Sequence, residues 1–256
     1  MESHPTTIVT AFIDIGKYDH ESRKPKEWYH DFAETFILKL RLPMYIFVEQ
    51  DDYDIVSRIR KSYGLYRLTK IIVIEFKDLY CYQQYDRLVM NLQNIDMNKT
   101  ILNCSNPAYP VIINSKYEFM ERTMMENLYR SNHFMWIDYG IKSRGYDNSD
   151  LKHIIRIAQN PMQNVSLGII SEKQLNYDEL MVGWKYVVVG TMFTMELNQS
   201  AHIFLEEWRK TYDQACLQGL YPYEESIFYH IYKNRPELFS VYHGNYDTCL
   251  FTYKNG

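Results

Sequence analysis

The sequence predicts a single-domain α/β protein in which helices cover both faces of a mostly parallel sheet, an α/β/α sandwich. Three observations carry that expectation. Short runs rich in β-branched and aromatic residues (TIVTAFIDI, MYIFVE, KIIVIEF, HFMWID) alternate with segments whose apolar residues recur at helical spacing. The 256 residues are 46% hydrophobic and 23% charged, enough for one substantial core. No repeat, low-complexity tract or Gly/Pro/Ser-rich linker divides the chain, so residues 1–256 read as one domain.

Residues 7–15 form the expected first strand, followed by a polar loop over 16–25. Over 26–39, Trp28, Phe32 and Phe36 share one row and Tyr29, Ala33 and Ile37 the next, the spacing of an amphipathic helix. A second strand is expected at 44–49. A helix over 51–64 follows, acidic at its start and stopped by Gly64. The third strand lies at 70–76. Residues 77–130 read as mostly helical, interrupted around 103–110, with a last helix capped by Asn114 and Ser115 and running to Tyr129. The fourth strand is HFMWID at 133–138, and 149–159 is a helix. Two further strands are expected at 165–170 and 185–190. A long helix over 198–219 then turns Leu205, Trp208 and Tyr212 inward, and a shorter one follows Pro222.

Composition excludes several classes. The net charge of −4 and the scattered Lys and Arg argue against a nucleic-acid partner. No segment approaches the roughly 18 apolar residues of a membrane span, and MESHPTT lacks the features of a signal peptide, so a soluble, cytoplasmic protein is expected. Cys81, Cys104, Cys216 and Cys249 form no CxxC pair and read as free core thiols rather than a zinc site. GxGxxG and GxxxxGK[ST] phosphate loops are absent, against a dinucleotide dehydrogenase or a P-loop nucleotidase. Tyrosine is abundant, 24 residues, which suits sugar-stacking surfaces or an interface between copies; low-GC codon usage accounts for it as well.

Five places stand out chemically. In FMWIDYG, Asp138 stands where a buried strand leaves the sheet: either a ligand for a hard cation, or an Asx turn bonding its own backbone. Lys17, Arg23 and Lys24 follow the first strand, placed to meet a diphosphate or simply solvated. Lys116 falls in the first turn of the expected helix at NSKYEFM, where a nearby anion would relieve its repulsion from the helix terminus. Glu224 and Glu225 open the helix after Pro222, as ordinary N-terminal stabilisers or as a general base. His243 precedes Gly244 near the C-terminus.

Taken in order, TIVTAFIDIG, the LP before MYIFVE, NSKYEFM, FMWIDYGI and PELFSVYHGNYD resemble the HtrL/YibB family over about residues 7–247. That family is regarded as glycosyltransferase-like, with the nucleotide-sugar-binding GT-A fold. The resemblance implies a metal-dependent enzyme moving a sugar from a nucleotide-sugar donor to a glycan or other hydroxyl-bearing acceptor. GT-A enzymes end a strand in a DxD motif that holds a divalent ion against the donor diphosphate. Asp138 matches its first carboxylate, and Gly140 takes the place of the second. Mn²⁺ or Mg²⁺ would then rest on Asp138, the diphosphate, water and His243. The resemblance further implies Thr10, Ala11, Phe12 and Lys17 beside the donor, and Lys116 on its diphosphate. Gly190 and Thr191 fall on the acceptor side. Glu224 and Glu225 are the acidic pair, with Glu225 the base if the transfer inverts the anomeric centre. The missing second Asp leaves one alternative: a non-catalytic GT-A-like module binding a glycan or a protein. A nucleotidyltransferase ranks lower, because GKYDHESRKPK lacks its Gly-rich loop.

Overall fold

In the computed structural model, which describes residues 5–18, 24–94, 106–172, 175–182 and 187–253, the β-branched and aromatic runs become a seven-stranded sheet. The strands are β1 (Thr6–Phe12), β2 (Met44–Val48), β3 (Thr69–Val73), β4 (His133–Ile137), β5 (Val165–Ile169), β6 (Met192–Glu196) and β7 (Phe239–His243). Their order across the sheet is β3-β2-β1-β4-β6-β5-β7. Only β6 runs against its neighbours β4 and β5; every other pairing is parallel. All strands except β6 therefore end at one edge of the sheet, and β6 begins there.

Successive strand side chains point to opposite faces. In β1, Val9 joins one hydrophobic layer, while Ile8 and Phe12 join the other. The first layer is closed by α3 (Tyr85–Asn94), α4 (Ala108–Glu126), α6 (Tyr177–Val182), α7 (Gln199–Leu217) and α8 (Glu224–Asn234). The second is closed by α1 (Lys26–Thr35), α2 (Gln50–Ser62), α5 (Leu151–Gln159) and α9 (Cys249–Thr252). Double coverage explains why β2 is apolar and buried at every position, MYIFV. Leu205, Trp208 and Tyr212 face inward from α7 as expected. Asn198 caps that helix by accepting from Ala201 N. Cys81, Cys216 and Cys249 are free and buried. Among the described residues no helix is long and apolar enough to cross a membrane.

Three elements differ from the sequence expectation. First, α4 starts at Ala108 rather than near Ser115, because Pro110 occupies its first turn, where a missing N–H breaks no helical bond. Asn114 and Ser115 are consequently interior residues and not caps: Asn114 Nδ2 donates to the Pro110 and Pro222 carbonyls, and Ser115 Oγ to Val111 O. Second, the strand expected at 185–190 lies instead at β6. Val188 makes a single bridge to Ile169, while Lys185 and Tyr186 fall outside the described residues. Third, β7 completes the sheet from FSVYH, which did not read as a strand. Arg23, Asn103 and Cys104 lie outside the described residues.

Candidate active site

A cavity of about 490 Å³ opens at the edge where the parallel strands end. Its floor is the end of β1 (Ala11, Phe12) and the turn after β4 (Asp138 to Ile141); α4 and the start of α8 form its walls. The carboxyl ends of strands in open α/β sheets are the usual place for a ligand.

The site is organised around Lys116. It sits mid-helix in α4, so its side chain leaves the helix toward the sheet, and it is 6% exposed. Its Nζ lies 3.0 Å from Asp138 Oδ1, 3.0 Å from Glu224 Oε1 and 3.0 Å from the Gly190 carbonyl. Burial by itself would lower its pKa, but the Asp138 and Glu224 carboxylates more than reverse this and hold it above the ordinary lysine range. The ammonium thus spends its three donors on the protein. Any charge it adds toward a diphosphate is already offset by two carboxylates.

Asp138 Oδ1 also accepts from Trp136 Nε1 at 2.8 Å. Its side-chain partners are therefore an indole and an ammonium, not the following backbone amides of an Asx turn. The carboxylate is 29% exposed and lines the cavity. Gly140 has an ordinary backbone conformation (φ −92°). A Cβ there would stand 3.1 Å from the Tyr29 ring, so its room is taken by that ring. Tyr139 points the other way: its hydroxyl meets His30 Nδ1 at 2.9 Å, and His30 Nε2 meets Asp52 Oδ1 at 3.0 Å, with Lys26 also on Asp52.

Glu224 and Glu225 are each 6% exposed at the start of α8 and line the cavity. Tyr246 OH donates to Glu225 Oε1. Both carboxylates lie over Gly190, where an added Cβ would meet Glu225 Cγ at 2.9 Å and Glu224 Oε1 at 3.1 Å. Only glycine leaves them that space.

Of the residues singled out from sequence, Ala11, Phe12, Lys116, Asp138, Gly140, Thr191, Glu224 and Glu225 line the cavity. Gly190 joins through its carbonyl. Thr10 is fully buried inside β1. Lys17 pairs with Glu49 at 3.3 Å and Asp51 at 3.0 Å, away from the cavity lining. His243 is exposed at the end of edge strand β7, three strands from β4, about 14 Å at the usual strand spacing. Lys24, Tyr29, Tyr109, Arg144 and Tyr223 also line it. Of these only Lys24 stood out beforehand.

The donor set does not suit a resident Mn²⁺ or Mg²⁺. Gly140 brings no carboxylate, His243 lies far off, and Asp138 Oδ1 is held by an ammonium that would repel a cation. Among the described residues no group of three His, Cys, Asp or Glu stands ready to hold an ion.

Residues 4–253 match the family described as "Bacterial protein of unknown function (HtrL_YibB)". The chain belongs to this family. Protein HtrL of Escherichia coli (strain K12) is 22% identical over 269 residues, spanning 92% of this chain and 87% of that protein. Among solved structures, the HtrL_YibB chain is similar to mouse xyloside xylosyltransferase 1 in its apo form. The TM-score is 0.47 at 12% identity, over 93% of this chain and 84% of that one. It is also similar to 4-diphosphocytidyl-2C-methyl-D-erythritol synthase from Anaerococcus prevotii DSM 20548, with a TM-score of 0.43 at 11% identity, over 99% and 94%. Likeness this distant carries no argument about activity.

Proposed function

We propose that the protein is a glycosyltransferase that moves a sugar from a nucleotide-sugar donor to a hydroxyl-bearing acceptor. One observation carries this reading: of the four carboxylates that line one cavity at the strand ends, Asp14, Asp138, Glu224 and Glu225, two, Asp138 and Glu224, are fixed by a single buried ammonium. Aromatic faces surround them, with Tyr29, Tyr109, Trp136 and Tyr223 in the lining, suited to a base and to sugar rings.

The residues divide the work. Ala11 and Phe12 receive the nucleoside, and the free oxygen of Asp138 accepts from donor hydroxyls. Lys116 holds Asp138 and Glu224 in place. In the transfer, the bond between the anomeric carbon and the diphosphate oxygen breaks, and its electron pair leaves on the nucleoside diphosphate. The acceptor oxygen bonds to the anomeric carbon and loses its proton to Glu225. Gly190 and Thr191 border the acceptor side. Mn²⁺ or Mg²⁺, if it takes part, arrives with the diphosphate, and no step above depends on it.

Thermal shift against nucleoside diphosphates and nucleotide sugars, on wild type and Asp138→Asn, tests the donor site. A ligand bound only to the native state raises the midpoint. The expected result is a shift for one nucleotide, reduced in Asp138→Asn, together with donor turnover that Glu225→Gln abolishes. The replacement of the second motif carboxylate by Gly140 favours the non-catalytic module as second reading. Glycan binding without any nucleotide shift would establish that reading instead.

A further inference from the structure

The cavity holds three cations, and their commitments differ. Lys116 is buried and engaged by Asp138 and Glu224. Lys24 and Arg144 line the same cavity, are exposed, and carry no ion pair among the described residues. Arg144 is also positioned: its guanidinium lies 4.9 Å over the Tyr246 ring, and Gly145, at φ +92°, turns the chain immediately after it. The neighbouring Lys142, by contrast, points elsewhere and donates to Thr35 Oγ1 at 2.7 Å.

We propose that Arg144 and Lys24 bind the donor diphosphate directly, taking the charge-neutralising role for which no cluster of His, Cys, Asp or Glu stands ready to hold a divalent cation among the described residues. The proposal rests on the glycosyltransferase reading. A leaving diphosphate needs positive charge where its negative charge develops, and Arg and Lys side chains supply it as a metal does. A guanidinium adds paired N–H donors matched to phosphate oxygens. Tyr246 ties this arrangement to the transfer chemistry, since the ring beneath Arg144 also donates its hydroxyl to Glu225. The phosphate-binding cation and the proton acceptor therefore share one support.

The test is isothermal titration of wild type, Arg144→Gln and Lys24→Gln with UDP, GDP, CDP and ADP, each in EDTA and in Mn²⁺. Both side chains are exposed, so unchanged circular dichroism and melting are expected for the variants. The expected result is a nucleotide whose Kd is the same in EDTA and Mn²⁺ and is weakened about tenfold or more by Arg144→Gln, less by Lys24→Gln. Binding that requires Mn²⁺, or that Arg144→Gln leaves within about twofold, overturns this assignment while sparing the glycosyltransferase reading. Absence of binding by every nucleotide in both conditions defeats both.

Discussion

Lys116 Nζ and Asp138 Oδ1 stand 3.0 Å apart, although one belongs to the middle of a helix and the other to the turn after a strand. With Glu224 on the same ammonium, the contact joins α4, β4 and α8 at the cavity wall. Lys116→Met would leave Glu224, 8% exposed at its side chain, as a buried charge without its partner. Breaking such a pair costs about 3–5 kcal/mol. Urea denaturation should show a loss of that order, and adding Glu224→Gln should recover part of it. The Lys116 pKa is raised on folding, so its contribution is complete below the unfolded value, about 10.4, and is lost only as pH rises through the folded value. Stability from this group is accordingly flat across neutral pH.

Gly190→Ala places a methyl 2.9 Å from Glu225 Cγ. That atom is near the root of the side chain, so Glu225 must move rather than swing its tip aside. Overpacking of this kind costs about 1–3 kcal/mol. Donor turnover should fall far more than the melting midpoint does; equal loss in both would mean that Glu225 has no special position to lose.

Asp52 gives the protein part of its acid sensitivity. Burial opposes its ionisation, but hydrogen bonds from His30 and Lys26 outweigh burial and lower its pKa. An acid whose pKa falls on folding stabilises the native state above its unfolded value, about 3.9, and loses that contribution as pH drops through the folded one. Urea midpoints measured from neutral pH to below about 3.9, through the folded value, should decline for wild type. Asp52→Asn, which can still accept from His30, should decline less.

Arg60 is a buried clamp. Its guanidinium donates to the carbonyls of Leu38, Leu40, Leu42 and Leu68 and to Thr69 Oγ1, tying the approach to β2 to the approach to β3. Burial lowers its pKa to about 10, which leaves it charged at neutral pH. Arg60→Met leaves those carbonyls unsatisfied at about 1–3 kcal/mol each for the buried ones. Arg60→Lys should recover little, because an ammonium has fewer donors and no planar fork. Chemical denaturation of the three proteins decides the matter.

Strands β2 and β4 were legible because strands covered on both faces must be apolar almost throughout, and MYIFV and HFMWI are. The edge strand β7 was not, since Val241 and His243 are exposed and break the run. Pro110 misled as a break because a helix tolerates proline in its first turn. Asp138, Glu224 and Glu225 were legible as carboxylates at element ends. Their bond to Lys116 was not, for Glu224 lies 108 residues further along the chain. Arg144 gave no signal: it ends a single 3₁₀ turn, which has no periodicity to read.

That separation orders events on the ribosome. At about 5–20 residues per second, Lys116 is made roughly 5–20 s before Glu224. In that interval, once Asp138 has been made, it is the one of the two carboxylate partners available to Lys116, and full desolvation of the ammonium would be unfavourable. The cavity wall therefore closes only once Glu224 is made, and the nascent protein passes through a stage in which most of the sheet exists but the full carboxylate cluster around Lys116 does not.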